Sequence, residues 1–276
     1  MKIIIAQDAG YCFGVRDAVN LAYETAKKHG EVYMLGDIVH NENVISDLDE
    51  AGAKVVDNID KVPKDKPILL RAHGTKRNIW LEANNRKMNV VDATCPLVHE
   101  IHNEVKKLSE DGRQIFVIGD HGHDEVVAIA DQVPKTIIIA SVEEAKKIKK
   151  YKKAGVVSQS TQTIENVQEI INVLMQKVFD LHFVNTICYP TKRNQEQIKK
   201  LAIKSDVMLI IGSFTSANSK RLTLLSKLVN KNTYQVTSVK GIKEKWFEKC
   251  NSVGISAGAS TPDYLIEEVR DKLSSL

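Results

Sequence analysis

A short apolar run, a small polar loop and then a helical segment recur along this chain, and this unit constrains the fold more than any other feature. Seven runs begin at KIIIAQ, EVYMLGD, PILLRAH, QIFVIGD, AGVVSQS, DVMLIIGS and NSVGISAG. Consecutive apolar positions are typical of strands buried on both faces, and helices between such strands provide parallel crossovers. The pattern predicts an α/β fold with mostly parallel sheets. Helices are predicted at 15–29, 41–51, 76–86, 97–110, 124–131, 165–178, 192–204, 218–230 and 262–275.

Length and composition limit the classes of protein to which the chain can belong. At 276 residues it exceeds the usual size of a single core, so we expect two or three modules. The net charge of +4 is too small to indicate nucleic-acid binding, and the lysine runs at 146–153 and 199–204 are interpreted as solvated helix faces. No stretch approaches the roughly 18 apolar residues of a membrane span, and because the sequence enters the run Ile3–Ile5 directly, we expect no secretory signal. With four cysteines and no disulfide framework, we expect a cytoplasmic protein without nucleic-acid or membrane partners.

Three of the four cysteines share one context. Cys12, Cys95 and Cys188 each follow a strand-like run and precede a predicted helix, and they are spaced by roughly a third of the chain. This repetition favours one ligand or reactive thiol per module over three buried hydrophobic side chains. Three thiolates suit either a catalytic zinc ion or an iron–sulfur cluster with one iron left for a non-protein ligand, and the spacing does not separate these two. Cys250 precedes its strand and is interpreted as structural.

Histidines, one carboxylate and several hydroxyls follow the other predicted strands. The loop GDHGHDEV carries His121, His123 and Glu125, while His40 and His73 occupy similar strand ends. In open parallel sheets, ligands bind beyond the carboxyl ends of the strands, so these residues are candidates for a shared site. The segments GSFTSANSKRL and SAGASTPDYL place hydroxyls and amides at predicted helix starts, where caps and anion sites both occur. No GxxxxGK[ST] loop is present, which favours a small phosphate or diphosphate ester.

Taken together, these segments resemble the 4-hydroxy-3-methylbut-2-enyl diphosphate reductase family. The matching stretches are AGYCFGV, VHNENV, RAHGT, DATCPLV, GDHGHDEV, QSTQT, TICYPTKRNQ, GSFTSANSKRL and SAGASTPD, which span residues 9–263. The resemblance implies three pseudo-symmetric α/β modules with small, mostly parallel sheets, arranged as a trefoil around a central iron–sulfur site. The module boundaries are expected at 13–95, 96–187 and 188–276, with segment 1–12 completing the third module.

The resemblance also implies roles for individual residues. Cys12, Cys95 and Cys188 match the ligands of one [4Fe–4S] cluster with an open fourth iron, and Glu125 matches a proton-delivering carboxylate. Residues that match the substrate pocket are His40, His73, His123, Ser160, Thr191, Ser216, Ala217, Asn218 and Ser260. Two positions depart from the family pattern. Ala217 stands where a second serine is common, so any contact there comes from its backbone N–H, and QST leaves open whether Ser160 or Thr161 supplies the hydroxyl beside Glu125.

The implied activity is the reductive removal of an allylic hydroxyl group, giving isopentenyl and dimethylallyl diphosphate in the last step of the methylerythritol phosphate pathway. No side chain supplies electrons, so a cluster and an electron donor protein such as ferredoxin or flavodoxin are expected. Two alternatives remain at this point. One is a zinc-dependent hydrolase of a small phosphate ester with Glu125 as base, and the other is a non-catalytic iron–sulfur or RNA-associated binding protein.

Overall fold

Twelve short strands and ten α-helices make up the computed structural model, which describes residues 1–276, and turns of 3-10 helix connect β3 to β4 and β11 to β12. The strands are β1 (Lys2–Ile5), β2 (Val32–Leu35), β3 (Ala53–Val56), β4 (Ile68–Leu70), β5 (Val90–Asp92), β6 (Gln114–Ile118), β7 (Ile137–Ile139), β8 (Tyr151–Ser158), β9 (Val178–Phe183), β10 (Val207–Ile211), β11 (Thr233–Val236) and β12 (Ser252–Ala257). The helices are α1 (Phe13–His29), α2 (Glu42–Glu50), α3 (Arg77–Asn85), α4 (Pro96–Glu110), α5 (Asp124–Ala130), α6 (Val142–Lys147), α7 (Ile164–Met175), α8 (Tyr189–Ile203), α9 (Ala217–Val229) and α10 (Asp263–Ser274).

The strands form three four-stranded sheets in which every pairing is parallel. Two sheets have the orders β3-β2-β4-β5 and β7-β6-β8-β9, so each follows the same sequence of crossovers. The remaining sheet has the order β11-β10-β12-β1, in which the N-terminal strand takes the place that β5 and β9 occupy in the other two. The predicted α/β class with small parallel sheets is confirmed.

The cores explain why the strand sequences are apolar at consecutive positions. In β10, Leu209 and Ile211 pack towards α10, whereas Met208 and Ile210 pack towards α8 and α9. In β6, Phe116 packs on the side of α7 and Val117 on the side of α4. Burial of such a side chain stabilises the fold by about 1.5–3 kcal/mol, so a strand covered on both faces excludes polar residues until it ends. Polar residues therefore collect at the strand ends.

The contacts divide the chain into two compact units. One comprises Met1–Arg16, Val39–Asp47 and Tyr189–Leu276, and the other comprises Asp17–Ile38 and Leu48–Cys188. The first unit holds the sheet with β1, and the second holds the other two sheets. The boundaries of three modules expected from the resemblance stay a prediction.

Three local features differ from the sequence-based expectations. Helix α8 begins at Tyr189, directly after Cys188, whereas the pattern predicted a start at 192. The lysine run 146–153 is not a helix face, because α6 ends at Lys147 and β8 begins at Tyr151. The seven apolar runs, together with the strand-like runs before Cys95 and Cys188, account for nine strands and omit β3, β7 and β11, which form one edge of each sheet. Polar residues interrupt the apolar pattern in β3 and β11, whereas β7 is a short run of three isoleucines.

Candidate active site

The loops after β2, β6 and β10 share one arrangement, which occurs once in each sheet. In each loop the fifth residue beyond the strand is a predicted site residue, namely His40, His123 or Ser216, and a helix begins within two residues of it. The seventh residue beyond each strand is Glu42, Glu125 or Asn218. These side chains therefore stand at equivalent topological positions, at the carboxyl ends of central strands, where α/β proteins bind ligands.

The three predicted ligand cysteines also occupy equivalent positions. Each one follows an edge strand, directly precedes a helix and is half-buried. Their backbone amides donate to carbonyl oxygens at the end of the neighbouring strand: Cys12 N to Ala259 O at 3.3 Å, Cys95 N to Ala72 O at 3.1 Å, and Cys188 N to Ser160 O at 3.0 Å. A helix N-terminus favours negative charge, so each site stabilises a thiolate over a thiol.

Cys250 lies in a different setting. It belongs to no helix N-terminus, and its Sγ donates to the carbonyl oxygen of Ser252 at 3.2 Å. Burial raises the pKa of the Cys250 thiol, which keeps it protonated at neutral pH. This geometry agrees with a structural residue.

A buried carboxylate stands beside one of these cysteine loops. Glu125 is 1% exposed, and its two carboxylate oxygens accept hydrogen bonds from Ser160 N at 2.6 Å and Ser160 Oγ at 2.8 Å. The Thr161 hydroxyl instead accepts from the side-chain amide of Gln159 at 3.0 Å. Ser160 is therefore the hydroxyl partner of Glu125. Because the carbonyl of the same Ser160 accepts from the Cys188 amide, one residue joins the carboxylate to the cysteine loop.

Two histidine rings, His73 and His123, lie in contact at the start of the helix that carries Glu125. His123 caps α5, since its Nδ1 accepts from the Glu125 amide at 3.2 Å, and this bond leaves Nε2 as the N–H donor of the neutral ring. The His73 ring meets the His123 ring edge to face, with centroids 5.6 Å apart. An ion pair of 2.6 Å between Arg71 and Asp124 joins the two loops. His121 points elsewhere, with its Nε2 2.9 Å from a carboxylate oxygen of Glu144.

The start of α9 presents buried polar groups to a cavity. Ser216 caps the helix by accepting from the Ser219 amide at 3.3 Å, and Ala217 is the first helical residue. Asn218 is 6% exposed, and neither its side-chain oxygen nor its side-chain nitrogen has a hydrogen-bond partner. Asn218 lines a cavity of about 400 Å³ together with Cys12 and Thr191. A buried amide without partners costs free energy, so its presence in a cavity wall indicates a ligand that supplies them.

The remaining predicted residues are placed as follows. The Ser260 hydroxyl donates to the backbone oxygen of His40 at 3.0 Å, which ties two predicted substrate loops together.

No group of three or more histidine, cysteine or acidic side chains lies close enough to hold a metal ion. No helix combines the length and the apolar character of a membrane span.

The sequence interpretation missed two features of the site. Asn194, which lines the same cavity as Thr191, donates to the Ala257 carbonyl at 3.2 Å. Its spacing of three residues from Thr191 on one helix was the available signal. The second feature is the internal repeat LGDIVHNEN, IGDHGHDEV and IGSFTSANS, in which a histidine or serine recurs at a constant distance from the strand.

The fold is that of an α/β protein in which half-buried cysteines, a buried carboxylate and polar helix starts follow the carboxyl ends of parallel strands. The family model described as LytB protein matches residues 3–274, and the chain belongs to this family. A relative from Geotalea daltonii named 4-hydroxy-3-methylbut-2-enyl diphosphate reductase is 39% identical over 100% of this chain and 98% of its own length. A relative of the same name from Caldanaerobacter subterraneus is 37% identical over 100% and 98% of the two chains.

Two solved structures share the fold. The structure of an (E)-4-hydroxy-3-methyl-but-2-enyl diphosphate reductase, described as the terminal enzyme of the non-mevalonate pathway, is 35% identical and covers 100% of both chains with a TM-score of 0.73. The E-1-hydroxy-2-methyl-but-2-enyl-4-diphosphate reductase from Plasmodium falciparum is 27% identical, with a TM-score of 0.94 over 100% of this chain and 87% of its own. The resemblance inferred from the motifs is thereby confirmed.

Proposed function

We propose that this chain reduces 4-hydroxy-3-methylbut-2-enyl diphosphate to isopentenyl diphosphate and dimethylallyl diphosphate, the last step of the methylerythritol phosphate pathway. Its family and the names of relatives of equal length support this activity. The observation that carries the proposal is Ser160, which binds Glu125 through its amide and hydroxyl and Cys188 through its carbonyl. The proposed proton donor and the backbone of a proposed ligand cysteine thus contact one residue, an arrangement that suits the reductive loss of a hydroxyl group.

The proposed cofactor is one [4Fe–4S] cluster held by Cys12, Cys95 and Cys188, with its fourth iron open. The donor set fits this group, because three half-buried cysteines stand at helix starts with matching backbone hydrogen bonds, and thiolates are the ligands such clusters prefer. When bound, the cluster supplies electrons and a Lewis acid to the substrate hydroxyl group. Each helix start stabilises the negative charge of its thiolate, which is the contribution of the chain to the assembly.

The diphosphate is proposed to bind at the helix starts and histidines described above. Ser216, the Ala217 backbone N–H and Asn218 lie at the N-terminus of α9, where orphan amides and the helix dipole attract anions. Asn218 has both amide groups available for the ligand, and Ser260, His40 and His73 complete the proposed set. Thr191 lines the same cavity and is proposed to bind near the reacting end of the substrate.

Glu125 is proposed to deliver the proton that lets the hydroxyl oxygen leave as water. The carbon–oxygen bond breaks, two electrons enter the substrate, and the allylic carbon framework takes a second proton at either of its two ends, which yields the two isomeric products. Ser160 holds the carboxylate through its amide and hydroxyl, and His123 caps the helix that carries Glu125, so the acid is oriented before substrate arrives. We propose that His123 Nε2 donates a hydrogen bond to the substrate.

Substrate and an electron donor are the partners that this activity requires. A ferredoxin or a flavodoxin in the cytoplasm is the proposed donor, and nucleic acid has no role in the proposed reaction. The relatives give no support to the alternative of a zinc-dependent hydrolase.

Anaerobic purification tests the proposed function. We expect a brown protein with broad visible absorption, iron and sulfide in nearly equal amounts, and turnover of the allylic diphosphate with a reduced viologen dye. A colourless protein that contains stoichiometric zinc and hydrolyses a phosphate ester would overturn the proposal. Steep salt-dependent RNA binding without turnover would instead favour the binding protein.

A further inference from the structure

The outward side of α8 carries a continuous exposed stripe. Four exposed residues follow one another along the helix at intervals of one or two turns: Tyr189, Arg193, Lys200 and Ile203. At 1.5 Å per residue the stripe is about 22 Å long. It begins at the residue directly after Cys188 and ends in an isoleucine that is 73% exposed. Exposure of such a large apolar side chain to water is energetically unfavourable.

Helix α9 extends this stripe into an apolar patch. Leu224 is 63% exposed and Leu228 is 84% exposed, one turn apart on the outward side of the helix. The side-chain amide of Asn230, just beyond α9, donates to the Ala202 carbonyl at 3.3 Å, so the ends of the two helices adjoin near Ile203. We name the exposed side of these two helices the α8–α9 face. Contiguous apolar surface with a polar rim marks interaction sites.

The chain segment that carries the α8–α9 face is strongly basic. Residues 189–231 contain nine lysines and arginines but only two acidic residues, Glu196 and Asp206. Ion pairs of Lys200 with Glu196 and of Arg193 with Asp8 neutralise two of these cations. The net charge of the whole chain is only +4, so this short segment holds the main positive surplus. An acidic surface is the complementary partner.

An aromatic pair connects the α8–α9 face with the cysteine cavity. The Tyr189 ring, 55% exposed, stacks on the Phe13 ring with centroids 5.9 Å apart and an interplanar angle of 13°. Phe13 directly follows Cys12, and both aromatic residues line the cavity that contains Cys12 and Thr191. One end of the face therefore lies at the residues adjacent to two proposed ligand cysteines.

We propose that the α8–α9 face is the docking surface for a small acidic protein that carries one electron at a time. The inference rests on the proposed function, because a cluster that gives its electrons to the substrate needs an external donor to reduce it again. Encounters of this kind use small interfaces and electrostatic steering, which suit an apolar patch on a basic segment. A second copy of the chain would bring the same positive charge and be repelled, and a lipid surface delivers no electrons. The docked donor delivers its electrons at the Tyr189 end of the face.

The test compares two electron donors on the anaerobic holoenzyme. In the variant Lys204→Glu/Lys227→Glu/Lys231→Glu, we expect kcat/KM for photoreduced ferredoxin to fall on the order of 10- to 1,000-fold, the range that electrostatic steering contributes. Turnover with dithionite-reduced methyl viologen should stay within about twofold, because a small dye needs no protein docking site. The variant Leu224→Ser/Leu228→Ser should raise KM for ferredoxin alone. The matched control, Lys146→Glu/Lys149→Glu/Lys152→Glu, reverses three lysines on another surface and should leave both rates unchanged.

The outcomes separate this proposal from the proposed function. If ferredoxin-driven turnover is unchanged in the first variant, or if the control loses as much, the face is not the docking surface. An equal loss with both donors would also overturn the proposal, because the face would then act on the chemistry itself. Loss of binding to phosphatidylserine vesicles with ferredoxin turnover intact would assign the face to a membrane. A wild-type enzyme that turns over with neither donor would overturn the proposed function, and the docking proposal with it.

Discussion

At the scale of single residues, Glu125 separates chemistry from binding. Glutamine has nearly the same shape and its oxygen still accepts a hydrogen bond from Ser160, but it delivers no proton. We expect Glu125→Gln to retain iron and substrate affinity while turnover falls by about 10²–10⁴-fold, the usual contribution of a positioned acid. Steady-state rates with reduced dye, together with the visible spectrum on adding substrate, check this expectation. Turnover near the wild-type rate would transfer the role to His123 or to the diphosphate of the substrate.

The cysteines give a second prediction at the residue scale. Replacement of Cys12, Cys95 or Cys188 by serine should abolish or weaken cluster retention, because each thiolate stands at a helix start in an equivalent backbone setting. Cys250→Ser should keep cluster and activity, since that thiol lies elsewhere and is held protonated by burial. Iron and sulfide analysis after anaerobic purification measures the effect. Full iron content and turnover in one of the first three variants would remove that cysteine from the proposed ligand set.

The choice between Ser160 and Thr161 shows what the sequence leaves undecided at this scale. The sequence pattern QST does not distinguish the adjacent hydroxyl residues Ser160 and Thr161. In the structure, however, their side chains leave the backbone in different directions. Strand register makes Ser160 the counterpart of Ala72 and Ala259, whose carbonyls also accept from cysteine amides. The direction of the Ser160 hydroxyl towards Glu125 depends on α5, which lies 35 residues earlier in the chain. Long-range packing of this kind has no local sequence signal.

At the scale of elements, the start of α9 combines helix capping with proposed ligand binding, and substitutions can separate these two roles. Ser216→Ala removes the cap and should lower the free energy of unfolding by about 0.5–2 kcal/mol. Asn218→Ala removes a buried amide without partners and should cost no stability. Both variants should raise KM for the allylic diphosphate by about 10- to 150-fold, the value of a hydrogen bond to a charged group. Urea unfolding and steady-state kinetics measure the two effects.

The comparison of KM values extends to the other residues that are proposed to bind the diphosphate. Alanine variants of His40, His73 and Ser260 should likewise raise KM, with a smaller effect on iron content. An unchanged KM across all five variants would show that the anion site lies elsewhere. An Asn218→Ala variant that unfolds more readily than Ser216→Ala would contradict the assignment of the unpartnered amide to ligand binding.

The sequence predicts some strands and helices more clearly than others. The seven recognised strands, such as DVMLIIGS, are apolar at consecutive positions because helices cover both faces of β10. The edge strands β3 and β11 carry no uninterrupted apolar run, because AKVV and TYQV mix polar and apolar residues at a partly exposed edge, whereas β7 is a run of three isoleucines that resembles the recognised edge strand β1. The start of α8 was placed three residues late, since Tyr189 and Pro190 are poor helix formers in isolation. Proline is nevertheless well suited to a first helical turn.

At the scale of the whole molecule, the chain order hides the repetition of the sheets. Strand β1 comes from the N-terminus but occupies the position of β5 and β9, and Cys12 follows it as Cys95 and Cys188 follow those strands. The three cysteines are therefore equivalent by topology, although the first one precedes its sheet partners by nearly the whole chain. In chain order the segment after Cys188 supplies only three strands of its sheet, so the third repeat is incomplete without β1. The strand pairing of β1 with β12 restores it.

The stability of the whole molecule should depend on pH through one buried histidine. His102 is 6% exposed, its Nε2 has no hydrogen-bond partner, and its ring packs against Gly74, where any Cβ would lie 2.9 Å from His102 Cε1. Burial lowers the pKa of His102 to about 4, so the folded chain holds it neutral while the unfolded chain takes up a proton below its ordinary pKa of 6.5. The unfolded state therefore binds more protons in this window, and stability is complete above pH 6.5 and is lost as the pH falls towards 4.

The variant His102→Leu isolates this contribution, because leucine fills the buried site without a titrating group. Between pH 6.5 and 4 we expect the wild-type protein to lose up to about 3 kcal/mol more of its free energy of unfolding than the variant, which is the pKa difference converted to energy. Urea unfolding of the anaerobic holoprotein at a series of pH values measures the difference, and comparison at each pH cancels cluster loss common to both proteins. Parallel pH profiles would mean that the native structure accepts a protonated His102, with α4 or the Gly74 turn moving to hydrate it.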